Sequence, residues 1–127
     1  MASLQERNKE LAKKLLDTAF NKKDVQAAAA MLTDRYVQHN PQVPTGKDGF
    51  VKAIPGFYSM FPDMTWTPKH IWAEGDYVIV HSLYRFDPKG RGTAIVDIFR
   101  MKDGLADEHW DVSQDIPEKM AHDNGMF

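Results

Sequence analysis

The sequence predicts an α+β domain in which helices come first along the chain and pack on one face of a curved antiparallel sheet. Residues 3–61 carry apolar side chains at helical spacing, whereas residues 69–114 are rich in β-branched and aromatic residues between turn signals. Helices followed by a run of strands are typical of this class. A length of 127 residues predicts a single domain, residues 1–127, with a C-terminal tail at 115–127.

Three helices are predicted in the N-terminal half, at residues 3–22, 24–32 and 45–61. The first begins at Ser3, and Glu6 three residues later completes a capping box. The second begins at Asp24, whose carboxylate suits an N-cap. The third contains Pro55-Gly56, which should kink or split it, because proline lacks the N–H that an internal helical residue donates.

Four strands are predicted in the C-terminal half, at residues 69–74, 77–86, 93–101 and 105–114. Gly75-Asp76 joins the first two as a tight hairpin, and residues 87–92 form a longer loop. Earlier in the chain, a break at 33–35 precedes a short extended segment, Tyr36–Asn40, which Pro41 prevents from continuing as a helix. The order of elements therefore places the helices before the sheet.

Composition and charge exclude several classes of protein. The formal net charge is −2 and positive charges do not cluster, so we expect neither a nucleic-acid partner nor an anionic membrane surface. The chain has no cysteine, which excludes disulfides and thiolate chemistry. It also has neither a signal-peptide pattern nor an apolar run long enough to cross a bilayer. These features predict a soluble cytoplasmic protein.

The loop at 102–104 sets the pairing of the last two strands. A three-residue hairpin loop commonly ends in a left-handed glycine, as this one does. That loop type pairs Met101 with Leu105. Asp97 then lies opposite His109 in the neighbouring strand.

This register predicts a polar cluster, because side chains alternate between the two faces of a strand. One face carries Ile95, Asp97, His109 and Asp111. Two carboxylates beside an imidazole suit general acid–base catalysis; a structural ion pair or a solvated sheet face is the alternative. The cluster depends on the loop type, since a two-residue turn at Asp103-Gly104 would place Asp97 opposite Trp110.

Two further histidines are candidates for the same site. Gln38, His39 and Asn40 are three consecutive polar residues before a proline, and we expect them to point toward a cavity. A local turn held by the Asn40 side chain is the alternative. His81 lies in an apolar strand, where it is either a core residue or a neighbour of Asp97.

Aromatic residues of the third helix, Phe57 and Phe61, are expected to form walls of the pocket. They are not expected to form a stacking platform for nucleic acid, because basic residues do not accompany them. No metal site is expected, because no short-range ligand spacing links the polar candidates, His39, His81, His109 and Asp97.

Several segments of the chain form a pattern that occurs in a known family. They are Tyr36-Val37-Gln38-His39-Asn40-Pro41, Pro44-Thr45-Gly46, Gly75-Asp76, Val78 to His81, Val96-Asp97-Ile98-Phe99-Arg100, Gly104 and Glu108-His109-Trp110-Asp111-Val112. In these segments, and in the order of its helices and strands, the chain resembles the SnoaL-like polyketide cyclases of the nuclear-transport-factor-like cone superfamily, and among them the branch described as aldol-condensation catalysts. The resemblance covers nearly the whole chain to about Pro117.

The resemblance implies a cone-shaped half-open barrel that holds a small ligand without a cofactor. Asp111 matches the acidic acid/base residue of the cyclases, and Asp97 stands where they have a histidine. The two aspartates also resemble the pair in epoxide hydrolases of the same superfamily, which place an arginine between them. Arg85 and Arg100 are the candidates for that arginine.

The leading hypothesis is a cofactor-independent lyase or isomerase that acts on a small carbonyl compound. Asp111 would take a proton next to the carbonyl, and the enolate oxygen would be stabilised by His109, His39 or a protonated Asp97. Ligand contacts are expected from Gln38, Asn40, His81, Phe57, Phe61 and Ile95. Epoxide hydrolysis and a non-catalytic ligand-binding module are the alternatives. The resemblance also implies a homodimer formed through the sheet face that carries Trp110 and Val112.

Overall fold

A computed structural model describes residues 1–127 as three helices on one face of a five-stranded sheet. The elements in chain order are α1 (Leu4–Phe20), α2 (Val25–Ala29), β1 (Leu32–Gln38), α3 (Lys47–Met60), β2 (Thr65–Glu74), β3 (Tyr77–Arg85), β4 (Thr93–Lys102) and β5 (Leu105–Asp115). The strand order is β1-β5-β4-β3-β2, and the sheet does not close. This is the α+β class that the sequence predicts, and the open sheet is that of the cone fold which the resemblance implies. Strands β2 to β5 are antiparallel, as expected, whereas β1 pairs parallel with β5 and makes the sheet mixed.

Helix α1 lies across the sheet and supplies much of the core. The Ser3 hydroxyl accepts the Glu6 N–H at 3.1 Å, and the Glu6 carboxylate accepts the Ser3 N–H at 3.2 Å, so the predicted capping box is present. The buried stripe of the helix includes Ala12, Leu15, Leu16 and Ala19. After the helix, the Asn21 amide exchanges two hydrogen bonds with the backbone of Trp66, at 2.7 and 2.9 Å. These bonds tie the end of α1 to β2.

The second helix and the break after it differ from the prediction. Helix α2 ends at Ala29, and Leu32 already belongs to β1. Residues 33–35, predicted as a break, are part of that strand. The reason lies outside the local sequence: Thr33 and Arg35 both bind the carboxylate of Asp107 in β5, which holds this stretch extended.

Pro55 does not split α3, which runs unbroken to Met60. Its ring lies on the exposed side of the helix, while Ile54 and Phe50 are buried in the core. The carbonyl that loses its hydrogen bond to the proline can therefore bind water, and the apolar side holds the helix in place. None of the helices is both long and apolar enough to cross a membrane.

The β4–β5 hairpin differs from the predicted register in two places. Its turn has two residues, Asp103 and Gly104, both with left-handed φ angles of 52° and 78°. A β-bulge follows at once, because Met101 pairs with Ala106 and Arg100 with Glu108, which leaves Asp107 as an extra residue.

Either difference alone would turn the side chains of β5 to the opposite face, but the two together leave each side chain on its predicted face. The shorter turn shifts the pairing by one residue, and the bulge shifts it by one more in the same direction. Asp97 is therefore opposite Asp111, and His109 is opposite Phe99. The predicted pairing of Asp97 with His109 is wrong. The predicted common face is right, since a shift of two residues preserves the alternation.

Candidate active site

A cavity of about 310 Å³ lies between the helices and the inner face of the sheet. Side chains from α1, α3 and every strand except β2 line it. Exposure rises along the inward-facing positions of β5, from buried His109 through half-buried Asp111 to exposed Ser113 and Asp115. The closed end of the cavity is therefore at His109, and the mouth is at Asp115.

At the closed end, Asp97 connects two buried side chains from neighbouring strands. Its Oδ2 accepts the Tyr84 hydroxyl at 2.6 Å, and its Oδ1 lies 2.8 Å from Nε2 of His109. All three residues are buried. Burial raises the pKa of Tyr84 well above its ordinary value, and the charge of Asp97 adds to the effect. Tyr84 therefore stays protonated and donates to the carboxylate.

Gln38 fixes the orientation and proton of His109. Gln38 and His109 are Cα partners in the parallel β1–β5 pair, so their side chains share the inner face. The Oε1 of Gln38 accepts the backbone N–H groups of His39 and Asn40, at 3.1 and 3.0 Å, which identifies this atom as the oxygen. The same oxygen lies 2.7 Å from Nδ1 of His109. Because a carbonyl oxygen only accepts, Nδ1 carries a proton and donates it.

One proton is left between Nε2 of His109 and Oδ1 of Asp97. If it resides on the imidazole, a cation faces a carboxylate; if it resides on the carboxyl, both groups are neutral. The pair carries no net charge in either case. This compensates for the burial of two ionisable groups, which would be costly for an unpaired charge.

Asp111 is held differently and remains open to the cavity. Its two oxygens lie 3.0 and 2.8 Å from Nδ2 of Asn40. The Oδ1 of Asn40 accepts the Gln42 N–H at 2.8 Å, which fixes the amide with its NH₂ toward Asp111. The carboxylate is 19% exposed and lies 3.9 Å from Nε2 of His109. Since Asn40 is its one hydrogen-bonding side chain, Asp111 keeps free acceptor sites that face the cavity.

Three possible metal-ligand atoms, from Asp97, His109 and Asp111, lie within 4.8 Å of one another. Two of them, Nε2 of His109 and Oδ1 of Asp97, share the proton described above. A metal ion would have to displace that proton, and the hydrogen bonds from Tyr84, Gln38 and Asn40 already hold all three groups without an ion.

The structure brings most of the predicted site residues together around the cavity. Those that line the cavity are Gln38, Asn40, Phe57, Ile95, Asp97, His109 and Asp111. Phe61 does not line it and packs against Phe86, with ring centroids 5.1 Å apart. His81 is on the outer face, because its neighbour Val80 is the residue that pairs with Asp97. There it stacks on His70.

His39 also lies on the outer face, away from the cluster. It follows inward-facing Gln38, so alternation turns it outward. Its ring stacks on Trp110 at 4.8 Å, and its Nε2 lies 2.7 Å from a carboxylate oxygen of Glu108. This contact with His39, more than those with Arg100, holds the pKa of Glu108 below its ordinary value. The structure gives His39 no contact with the cavity.

A second polar cluster supports the site from behind the bulge. Asp107 is 1% exposed and accepts hydrogen bonds from Thr33, Arg35 and Arg100. The hydrogen bond from Arg35, with smaller contributions from the other two, holds the pKa of Asp107 well below its usual range. Its carboxylate is therefore charged at neutral pH and ties β1 to β5 beside the pair of Gln38 with His109.

The arginine of an epoxide hydrolase site has no counterpart in the cavity. No lysine or arginine lines it. Arg100 lies on the outer face, where it binds Asp107 and Glu108, and Arg85 is exposed at the end of β3. The expectation that either arginine reaches the two aspartates is wrong.

Two tyrosines of the cavity are not among the predicted site residues. Tyr84 lies in the predicted strand at 77–86, but the loop at 87–92 leaves the pairing of that strand with the next one open in the sequence. Tyr36 lies two residues before Gln38 on the same face, and alternation from Gln38 was the available signal. Burial, with a smaller contribution from Asp97, raises the pKa of Tyr36 far above its ordinary value.

The model of the SnoaL-like domain family matches residues 12–109. Among solved structures, TsrD from Streptomyces laurentii has a TM-score of 0.72 and 24% identity over 88% of this chain and 91% of that one. A candidate SnoaL-like polyketide cyclase from Jannaschia sp. CCS1 has a TM-score of 0.74 and 17% identity over 89% of both chains.

A candidate ketosteroid isomerase from Kribbella flavida has a TM-score of 0.73 and 21% identity, over 93% of this chain and 85% of that one. No curated protein matches the chain. At these identities the structural likeness shows a shared fold.

Proposed function

Because the chain belongs to the SnoaL-like domain family, we propose that its cavity is the active site of a cofactor-independent enzyme of the lyase or isomerase type. The reaction is abstraction of a proton next to the carbonyl of a small compound. One observation carries this proposal: Asp111 is the cluster carboxylate with free acceptor sites facing the cavity, whereas Asp97 is committed to Tyr84 and His109.

Asp111 acts as the general base. It takes the proton from the carbon next to the carbonyl, and the electron pair of that C–H bond forms the enolate. Asn40 holds the carboxylate in one orientation through its amide, so little reorganisation is needed when the proton arrives. The apolar walls, Phe57 among them, exclude water from the reacting atoms.

The enolate oxygen needs a donor at the closed end of the cavity. The Tyr84 hydroxyl is used by Asp97, whereas Tyr36 lines the cavity and stays protonated because burial raises its pKa. We assign Tyr36 as the donor. The His109–Asp97 pair, which is neutral as a whole, lies beside this position, and the proton that the two groups share is available to the next oxygen anion of an aldol-type step.

Exchange of the α-hydrogens of 4-phenyl-2-butanone in D₂O, followed by proton NMR, tests this step. The native protein should accelerate exchange, and Asp111→Asn should lower the rate by about 10²-fold or more, the usual contribution of a general base. Asp63→Asn removes an exposed aspartate outside the cavity and is the matched control. Equal rates for Asp111→Asn and native protein, with both folded, would exclude Asp111 as the base.

We also propose a homodimer formed through the outer face of the sheet. Large apolar side chains are exposed there, namely Trp72, Tyr77, Ile79 and Val112. Val112 is 67% exposed, next to the stacked ring of Trp110. A contiguous apolar face of this kind is a common feature of contact surfaces between subunits.

Light scattering on Val112→Glu and Met60→Glu tests the dimer. Both positions are exposed and apolar, but Met60 is at the end of α3 and away from the outer face. The native protein and Met60→Glu should have the mass of two chains, and Val112→Glu that of one, because a buried unpaired charge opposes association. A native protein with the mass of one chain would overturn the proposal.

A further inference from the structure

The charges that line the cavity are almost all negative. Asp97, Asp111 and Asp115 contribute carboxylates, and His109 is the one side chain there that can carry a positive charge. The chain has 16 lysines and arginines, and none of them lines the cavity. A site with this composition differs from those that bind carboxylates or phosphates, which rely on arginine, lysine or helix N-termini.

The single positive group is already neutralised. His109 and Asp97 hold one proton between them and carry no net charge as a pair. Asp111 at the middle of the cavity and Asp115 at its mouth are then left without a cationic partner. Asp111 is held by the neutral amide of Asn40, and Asp115 accepts the Thr93 hydroxyl at 3.0 Å. The cavity therefore has a negative potential along its length.

The two uncompensated carboxylates are four residues apart on β5, which is about 13 Å along an extended strand. Both face the cavity. A ligand that enters past Asp115 and reaches Asp111 thus meets a negative charge at both ends of its path. Repulsion between an anionic ligand and these two carboxylates is strong inside the cavity, because the apolar walls lower the local dielectric.

Most of the uncharged surface of the cavity is apolar, and much of that apolar surface is aromatic. Five of the seven phenylalanines of the chain line it, namely Phe20, Phe50, Phe57, Phe86 and Phe99. Aromatic walls favour flat or apolar ligands through burial and ring contacts. The volume is at the lower end of the range for small-molecule sites, which limits the ligand to a small body.

We propose that the cavity selects uncharged, aromatic or apolar carbonyl compounds and rejects those that carry a carboxylate or phosphate group. Free acids, phosphate esters and thioesters of phosphate-bearing carriers are excluded by Asp111 and Asp115. The inference rests on the proposed function in taking this cavity as the substrate site. It names the charge of the substrate, which the fold alone leaves open.

Calorimetric titration with two probes of equal size tests the selection at neutral pH and low salt. The probes are 3-phenylpropanamide, which is neutral, and 3-phenylpropanoate, which is an anion with the same skeleton. The amide should bind, and the carboxylate should bind at least about tenfold more weakly. Higher salt should narrow the difference at the exposed mouth of the cavity.

Asp115→Asn provides the variant and Asp63→Asn its matched control. Both remove one exposed aspartate, but only Asp115 lines the cavity, and asparagine can still accept the Thr93 hydroxyl. Asp115→Asn should reduce the preference for the amide severalfold, whereas Asp63→Asn should leave it unchanged. Equal affinity for the two probes, no binding of the amide, or equal effects of the two variants would overturn the inference.

The readout separates this inference from the proposed catalysis. Binding of the amide requires no turnover, so selective binding without hydrogen exchange would refute the proposed catalysis and leave the charge selection standing. Exchange catalysed by Asp111, together with equal binding of both probes, would refute the charge selection and leave the proposed catalysis standing.

Discussion

Replacing Asp107 by asparagine removes the buried charge that ties β1 to the bulged strand β5. The carboxylate accepts from Thr33 at 2.7 Å, from Arg35 at 2.9 Å and from Arg100 at 2.6 Å. The amide of asparagine has a similar shape, and its oxygen can still accept one of these bonds. The change therefore removes mainly the charge and the second acceptor.

The expected loss is about 2–3 kcal/mol of unfolding free energy. A hydrogen bond to a charged group contributes about 1.5–3 kcal/mol. Arg35 contributes most to the lowered pKa of Asp107, but its side chain is 59% exposed, so solvent screens the pair. The loss that we assign to the buried Asp107 carboxylate is therefore that of about one such bond. Thr33 keeps an acceptor and adds little.

Urea denaturation of the native protein and Asp107→Asn, at a series of pH values, measures the loss. The pKa of Asp107 is lowered by folding, and the unfolded value is about 3.9. Its contribution is therefore fully present above about pH 5 and is lost as the pH falls toward the folded pKa. The two stability curves should run parallel near neutral pH and converge in acid.

Asp63→Asn is again the control, because Asp63 is exposed and makes no ion pair. It should change stability by less than about 0.5 kcal/mol. A loss below about 1 kcal/mol for Asp107→Asn at neutral pH would refute the assigned role, as would a difference that persists unchanged to pH values well below 4.

Three further substitutions test other contacts. Gln38→Leu removes the acceptor of the His109 Nδ1–H, and we expect a fall in α-hydrogen exchange of about tenfold with an altered pH profile. Tyr84→Phe leaves one oxygen of a buried carboxylate without a donor, and should cost about 1–3 kcal/mol in urea denaturation. Gly92→Ala places a Cβ 2.9 Å from the Tyr84 carbonyl oxygen at a φ of +94°, and should cost about 1–3 kcal/mol, unlike the control Gly90→Ala.

Each of these expectations has a contrary result. An unchanged pH profile in Gln38→Leu would mean that the amide does not set the proton of His109. A Tyr84→Phe variant as stable as the native protein would place water on the freed oxygen. Similar melting temperatures for the two glycine variants would show that the backbone at position 92 relaxes without cost.

The face that carries the cluster was predictable from the sequence, but its pairing was not. The face that a side chain of β5 occupies changes when the β4–β5 pairing shifts by an odd number of residues and stays the same when the shift is even. The turn and the bulge each shift the pairing by one residue, so the predicted face is kept. The two-residue turn had a local signal, since Asp103-Gly104 is a strong hairpin dipeptide. The bulge had none, because it is held by Thr33 and Arg35 from a strand about 70 residues away.

Contacts between distant strands also explain the misplaced histidines. The orientation of His39 depends on the parallel pairing of Gln38 with His109, whereas the sequence predicts only a short extended segment, Tyr36–Asn40, and assigns it no strand partner. The orientation of His81 depends on the register of β3 against β4 across a seven-residue connection, residues 86–92. Where a hairpin is short, the sequence limits the register to few choices; across long connections it does not.

The bulge at Asp107 also determines which changes of chain length the site can tolerate. Deleting Asp107 would leave a regular hairpin in which Arg100 still pairs with Glu108 and Asp97 with Asp111. Asp111 would therefore still face the cavity, and only the loss of a second residue would turn it to the outer surface. Relatives can differ by one residue here and keep the same inner face, provided that an alignment places the single gap at the bulge and not farther along β5.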